Sequence, residues 1–289
     1  MHSNVKTLPK WGRVFWMTDG QTEIAAALDF GIRIVHLSCA GMQNLFYCQP
    51  PDLSDGLCNE QGWRIYGGHR LCLAPESEKS YWPDNMPVMF RKEERGVLLT
   101  QEEDPWLKVQ KSLRLVFEPD GAIRLEHFFK NMSEHPIRAA SWGINTLDGG
   151  GIAEVDFKAP GGAVYKPQRV LTLWQQTRLD DRRLTFSEDR VTARHLPIDG
   201  YCKLGMYSPG GHAVLENKNQ RLEITFASEP MEEYPDNGCN FEMFLNRNIM
   251  ELETLGILRT LECGQAASHI ERWRLNPLKH DASILLRHR

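Results

Sequence analysis

Short strand-like runs recur along almost the whole chain, and no stretch commits clearly to a helix. "RIVHLS" (33–38), "GVLLTQ" (96–101), "LRLVFEP" (113–119), "AIRLEHFFKN" (122–131), "RLEITFA" (221–227) and "IMELETL" (249–255) are rich in β-branched and aromatic residues and partly alternate. Turn chemistry separates them: "EPDGA" (118–122), "KNMSEHP" (130–136), "LDGGG" (147–151), "APGG" (159–162), "SPGG" (208–211) and "YPDNG" (234–238). Only "TEIAAALDFG" (22–31) has helical propensity, and it reads equally well as a strand that ends at Gly31. Many short strands about ten residues apart predict an all-β chain of antiparallel sheets, a sandwich or a barrel.

A chain of 289 residues is long enough to bury a large core. With no break in composition and no internal repeat, a single domain over residues 1–278 is expected, followed by a tail at 279–289 that reads as an edge strand, a short helix or a frayed end. The net charge of −4, with basic residues scattered, argues against a nucleic-acid partner. No apolar run approaches the roughly 20 residues of a membrane span, so no membrane partner is expected. The opening "MHSNVKTLPKWGRVFW" lacks the apolar region of a signal peptide. The cysteines (39, 48, 58, 72, 202, 239 and 263) are odd in number and form no C-x-x-C pair. A disulfide framework or zinc knuckle is therefore not expected, and a reducing cytoplasm is.

H-E-x-x-H, P-loop, G-x-S-x-G and strand–G-x-G-x-x-G–helix motifs are absent from the sequence. No metal site or cofactor is expected on that basis. What remains is a series of polar and aromatic clusters that a β-sandwich could gather on one face. "YGGHRLCLAPE" (66–76) holds His69, Arg70 and Glu76 and is followed by Trp82; it is either a glycine turn with a surface ion pair or the rim of a site. "LEHFFKN" holds His127 and Asn131, and His127 is in phase with Leu125 and Phe129, as a core histidine bonded to a backbone carbonyl would be. "AASWGINTLDGGG" contributes Trp142 and Asn145, and "NFEMFLNRNIMELETLG" contributes Glu242, Glu251 and Glu253. Glu251 and Glu253 lie two apart on a strand and so share a face, which is either a solvated face or the floor of a site.

In their order along the chain these clusters resemble the galactose mutarotase-like superfamily, the β-supersandwich of aldose 1-epimerases and hexose-6-phosphate epimerases. The resemblance spans about residues 12–276 and is nearest an uncharacterised bacterial branch. "TEIAAALDFGIRIVHLSCAGMQNLFY" is similar to the family's N-terminal strands, and "YGGHRLCLAPE" to its "GG-x-P-x-x-F-P" segment. "IRLEHFFKNMSEHPIRAASWGINTL" resembles the strand–"N-x-S-x-x-P" turn–strand unit, and "MELETLGILRTLECGQAASHIERWRL" the closing strands. The resemblance implies a single-domain supersandwich that binds a small sugar or sugar derivative. It also implies a glutamate base at the anomeric hydroxyl, a histidine acid at the ring oxygen, and no cofactor. "LET" (252–254) matches the segment around the family's base and nominates Glu253, with Glu251 and Glu242 as its neighbours. Where the family carries its histidine in "A-x-H-x-Y-F", this chain reads "AASWGINTL", with Ser141 or Trp142 in that place.

Three functions follow from the resemblance. One is an aldose or sugar-phosphate 1-epimerase with Glu253 as base and His69 or His127 as proton donor. The second is a non-catalytic sugar binder that uses Arg70, Glu76, Trp82, His127, Asn131, Trp142, Asn145 and Glu242. The third is lyase or glycoside hydrolase chemistry by Glu251, Glu253 and His69. Hydrolysis ranks last, because carboxyls two apart on a strand, about 6.6 Å, point in parallel and do not flank a bond.

Overall fold

In a computed structural model the described residues are 1–9, 11–49, 62–159, 161–162, 165 and 168–278. Two large antiparallel sheets face one another, and the described residues contain no α-helix, only the short 3-10 turns Glu78–Tyr81 and Met231–Glu233. The all-β supersandwich expectation holds. The tail at 279–289 and Cys58 lie outside the described residues.

The first sheet runs, in spatial order, His2–Leu8, Gly12–Thr18, Thr22–Ala27, Arg33–Cys39, Gly68–Ala74, Ile137–Asp148, Ile249–Leu255, Phe241–Leu245, Cys202–Met206 and Leu171–Leu173, with Arg259–Leu261 paired to one end of Ile137–Asp148. The second runs Leu184–Phe186, Arg190–Arg194, Ile152–Asp156, His212–Asn217, Gln220–Phe226, Ala266–Pro277, Ile123–Asn131, Val109–Phe117, Gly96–Asp104 and Met89–Glu93. "TEIAAA" is a strand: its alternatives were close in propensity, and pairing on both sides decides between them.

Strict alternation marks the second sheet. Val109–Phe117 buries every second residue, because one face meets the core and the other meets water. Leu113, Leu115, Leu125, Leu222, Ile224 and Trp273 from this sheet pack against Phe15, Ile24, Ile34, Leu37, Met243 and Leu252 of the first. By contrast, Gly68–Ala74 is buried at every position, and Ile137–Asp148 at most of them. These central strands are covered twice, by the second sheet on one face and by the walls of a cleft on the other. Among the described residues no helix is long and apolar enough to cross a membrane.

Candidate functional site

The cleft floor follows from strand register. Residues opposite one another in antiparallel strands project to the same side. Glu242, Glu253, Ile144 and Arg70 therefore form one cross-strand row, and Lys203, Phe244, Glu251 and Thr146 form the next. All of these but Glu242 line a cleft of about 520 Å³, within the usual range of about 300–1,000 Å³ for small-molecule pockets. Trp142 and Cys72 extend the floor, while Trp63, Tyr81, Glu76 and Trp174 build the walls.

Lys203 organises the charges. Its ammonium lies 3.0 Å from Glu76, 3.1 Å from Glu242 and 3.6 Å from Glu253. It also sits 4.6 Å from the ring centroid of Trp142 and 4.8 Å from that of Trp174. Burial alone would depress its pKa, but Glu253, Glu242 and Glu76 outweigh burial and hold it well above the ordinary lysine value. Glu253 also accepts a hydrogen bond of 2.7 Å from the Trp142 indole, and Tyr81 donates its hydroxyl to Glu76.

Burial raises all three carboxyls of the floor. Glu242 stands well above the carboxylate range, because burial and Glu253 together exceed the pull of Lys203. Glu253 is also raised by burial, with Lys203 opposing the rise. Glu251 is pushed up to about 7 by burial and the neighbouring Glu253, although the Thr146 hydroxyl donates to it at 2.6 Å. Arg70 closes the far end of the first row. Against burial, Cys72, Asp84 and Glu251 keep its guanidinium charged, and its buried Nε has no hydrogen-bond partner among the described residues. The floor thus offers a carboxyl that titrates near neutrality, a second beside an ammonium, and a guanidinium with donor capacity to spare.

Of the residues singled out in the sequence, Arg70, Glu76, Trp142, Glu251 and Glu253 line this cleft, and Glu242 lies beneath it against Lys203. His69 does not sit on the rim. Neighbouring residues of a strand point to opposite faces, so Arg70 facing the cleft puts His69 between the sheets, where it is 0% exposed. His127 and Asn145 lie in the same interior layer, with His127 Nδ1 on the His269 carbonyl as a core histidine requires. Asn131 ties a turn, accepting from Ser133 and donating to the carbonyls of His135 and Leu261. Trp82 stacks on Trp106 at 4.7 Å and lines a smaller groove rather than the cleft, with Arg70 and Cys72 bordering both.

The glycines before His69 serve the backbone. Gly67 and Gly68 have φ of 86° and 73°, and a Cβ on them would stand 1.9 Å from the Tyr47 carbonyl and 2.4 Å from that of Ile34. Lys203, Trp63, Trp174 and Thr146 were missed in the sequence. For Lys203 there was a signal: one cation inside the apolar "CKLGM", a strand buried at every position.

No protein-family model and no curated protein matches the sequence. Solved structures match the fold: the chain has the supersandwich architecture of the galactose mutarotase-like proteins. A putative mutarotase (YeaD) from Salmonella typhimurium superposes with a TM-score of 0.57 at 11% identity, over 95% of this chain and 94% of that one. A galactose mutarotase-like protein from Clostridium acetobutylicum gives 0.57 at 12% identity, over 96% and 99%. A TPR-domain containing protein from Parabacteroides distasonis gives 0.62 at 13% identity over 93% of this chain, which spans 48% of that protein.

Proposed function

We propose that the cleft binds a monosaccharide or sugar derivative and interconverts its anomers. Glu253 would take the anomeric proton and Glu251 would donate to the ring oxygen. What carries this reading is the pair of buried carboxyls on one floor, in different surroundings. Lys203 lies 3.6 Å from Glu253 and favours its charged form, whereas Glu251, raised to about 7, still carries its proton on a large share of molecules at neutral pH. Glu251 would then fill the role of the absent histidine acid. Trp63, Trp142 and Trp174 supply apolar walls of the kind that pack against sugar rings. The spare donor capacity of Arg70 favours a ligand with a carboxylate or phosphate.

One observation favours a second reading, a binder without chemistry. Trp142 and Lys203 both engage the same Glu253 oxygen, Oε2, and so hold one of the two oxygens a base could use. NMR of the protein with aldoses, uronates and hexose phosphates separates the two. Saturation transfer reports binding, and exchange cross-peaks between α and β anomers report turnover. Exchange that disappears in Glu253→Gln supports the epimerase; binding without exchange supports the binder. No binding to any of the three classes refutes a sugar cleft.

A further inference from the structure

Beneath the cleft floor, on the other face of the same strands, a polar cluster is sealed between the sheets. His69 comes from Gly68–Ala74 of the first sheet, and His127 and Glu271 come from Ile123–Asn131 and Ala266–Pro277 of the second. All three are buried, and one ligand-type atom from each lies within 4.8 Å of the others. Sequence motifs for metal sites concern ligands close together in the chain, whereas these are scattered over about two hundred residues and raise no such expectation.

The surrounding hydrogen bonds assign the tautomers. Glu271 only accepts, so Asn145 turns its amide NH₂ toward the carboxylate, 3.3 Å away, and its oxygen toward His69 Nδ1, 3.0 Å away. His69 therefore carries its hydrogen on Nδ1. His127 Nδ1 faces the carbonyl oxygen of His269 at 3.2 Å and must donate as well. Both neutral imidazoles are left with a bare lone pair on Nε2, and the two Nε2 atoms face each other at 2.7 Å. Two lone pairs at that distance repel unless a cation lies between them.

Glu271 adds a second demand for positive charge. It accepts from the Thr254 hydroxyl at 2.7 Å and the Trp273 indole at 2.6 Å as well as from Asn145. These donors are all neutral, and among the described residues no lysine or arginine pairs with it. A buried carboxyl met only by neutral donors leaves room for a positively charged partner.

We propose that His69 Nε2, His127 Nε2 and a Glu271 oxygen bind a divalent first-row transition ion, zinc by preference, as a staple between the two sheets. Two imidazoles and a carboxylate are the donor set such ions take. Asn145, the His269 carbonyl, Thr254 and Trp273 are the hydrogen-bond partners that fix ligand orientation around such centres. To hold a tetrahedral ion with Zn–N near 2.05 Å, the Nε2 atoms must part to about 3.3 Å. Rotation of the two rings would supply this. With all three ligands sealed from solvent, the ion would enter as the sheets close and leave only when they open.

Metal analysis of the full chain, purified without immobilised metal, tests this. Close to one equivalent of zinc or a neighbouring ion per chain is expected, retained through native dialysis against chelator and released on unfolding. Refolding in chelator should lower Tm by about 5–10 °C relative to refolding with Zn²⁺, and refolding with Co²⁺ should give visible absorption. Less than a tenth of an equivalent, together with a Tm indifferent to Zn²⁺, Co²⁺ or chelator on refolding, overturns the site. In that case a long-range ¹⁵N–¹H spectrum would show a proton shared by the two Nε2 atoms. His69→Gln and Glu271→Gln should each lose the ion. A folded His69→Gln, Glu271→Gln double variant that keeps a full equivalent would place it elsewhere and overturn the assignment. If the variants do not fold, the stoichiometry and refolding of the natural chain still decide.

Discussion

Replacing Lys203 by methionine keeps most of the stem against Trp142 and Trp174 and removes only the ammonium. Three carboxyls then lose their shared cation. Glu76 is about a quarter exposed and keeps water as a partner, so the cost falls on Glu242 and Glu253, at most 2% exposed. Removing one member of a buried ion pair costs roughly 3–5 kcal/mol, because the remaining charge is stranded. For a chain of this size, at about 2 °C per kcal/mol, Tm should fall by about 6–10 °C at pH 8. The sign with pH follows from the glutamates. Their folded pKa values are already raised, and losing Lys203 raises them further. A carboxyl raised in the folded state contributes stability that is fully present below its unfolded value, about 4.3, and lost as pH rises through the folded value. The variant's deficit should therefore be small near pH 4.5 and grow toward pH 8. Calorimetric or fluorimetric melts at both pH values measure it. An equal deficit at the two would mean that Lys203 acts by packing alone, and no deficit at pH 8 would refute the charge argument.

Other expectations follow from the same geometry. Glu251, raised to about 7, contributes stability that is complete below its unfolded value and lost as pH climbs through neutrality. Tm of the natural protein should accordingly fall between pH 5 and 8, and Glu251→Gln should flatten that slope in melts across the range. Gly143→Ala places a Cβ 2.2 Å from a Glu271 oxygen and 3.3 Å from the Thr254 hydroxyl. It should cost about 1–3 kcal/mol by overpacking, read as a lower urea midpoint at unchanged m-value. Arg70→Met should weaken binding of a uronate or hexose phosphate by about 10–100-fold, the worth of a hydrogen bond to a charged group. Neutral aldoses titrated in the same way should change far less.

How much of this was legible depends on what covers each strand. Val109–Phe117 and Gln220–Phe226 have one wet face, so their alternation declares both strand and phase. Gly68–Ala74 is covered on both faces, and "GHRLCLA" shows no phase from which to read where His69 points. The adjacency of His69 and Arg70 did hold the answer, since on one strand they must part. Glu251 and Glu253 were legible because a spacing of two is a statement about faces. Lys203 stands out only once its strand is known to be buried throughout. The His69–His127–Glu271 cluster comes from three strands that meet only when the two sheets pack, and no local spacing announces it.

The floor of the cleft is one sheet thick, with both of its surfaces already occupied. Ile137–Asp148 and Ile249–Leu255 are paired with neighbouring strands on both sides, and every second side chain is locked into the layer below. A floor built in this way does not adjust to its guest. Induced fit must come from the rim, the Glu76–Tyr81 segment and the loops that carry Trp63, Trp174 and Asp236. Selectivity for one face of a bound ligand would then be inherited from a rigid template, while tolerance for its substituents is left to segments that can move.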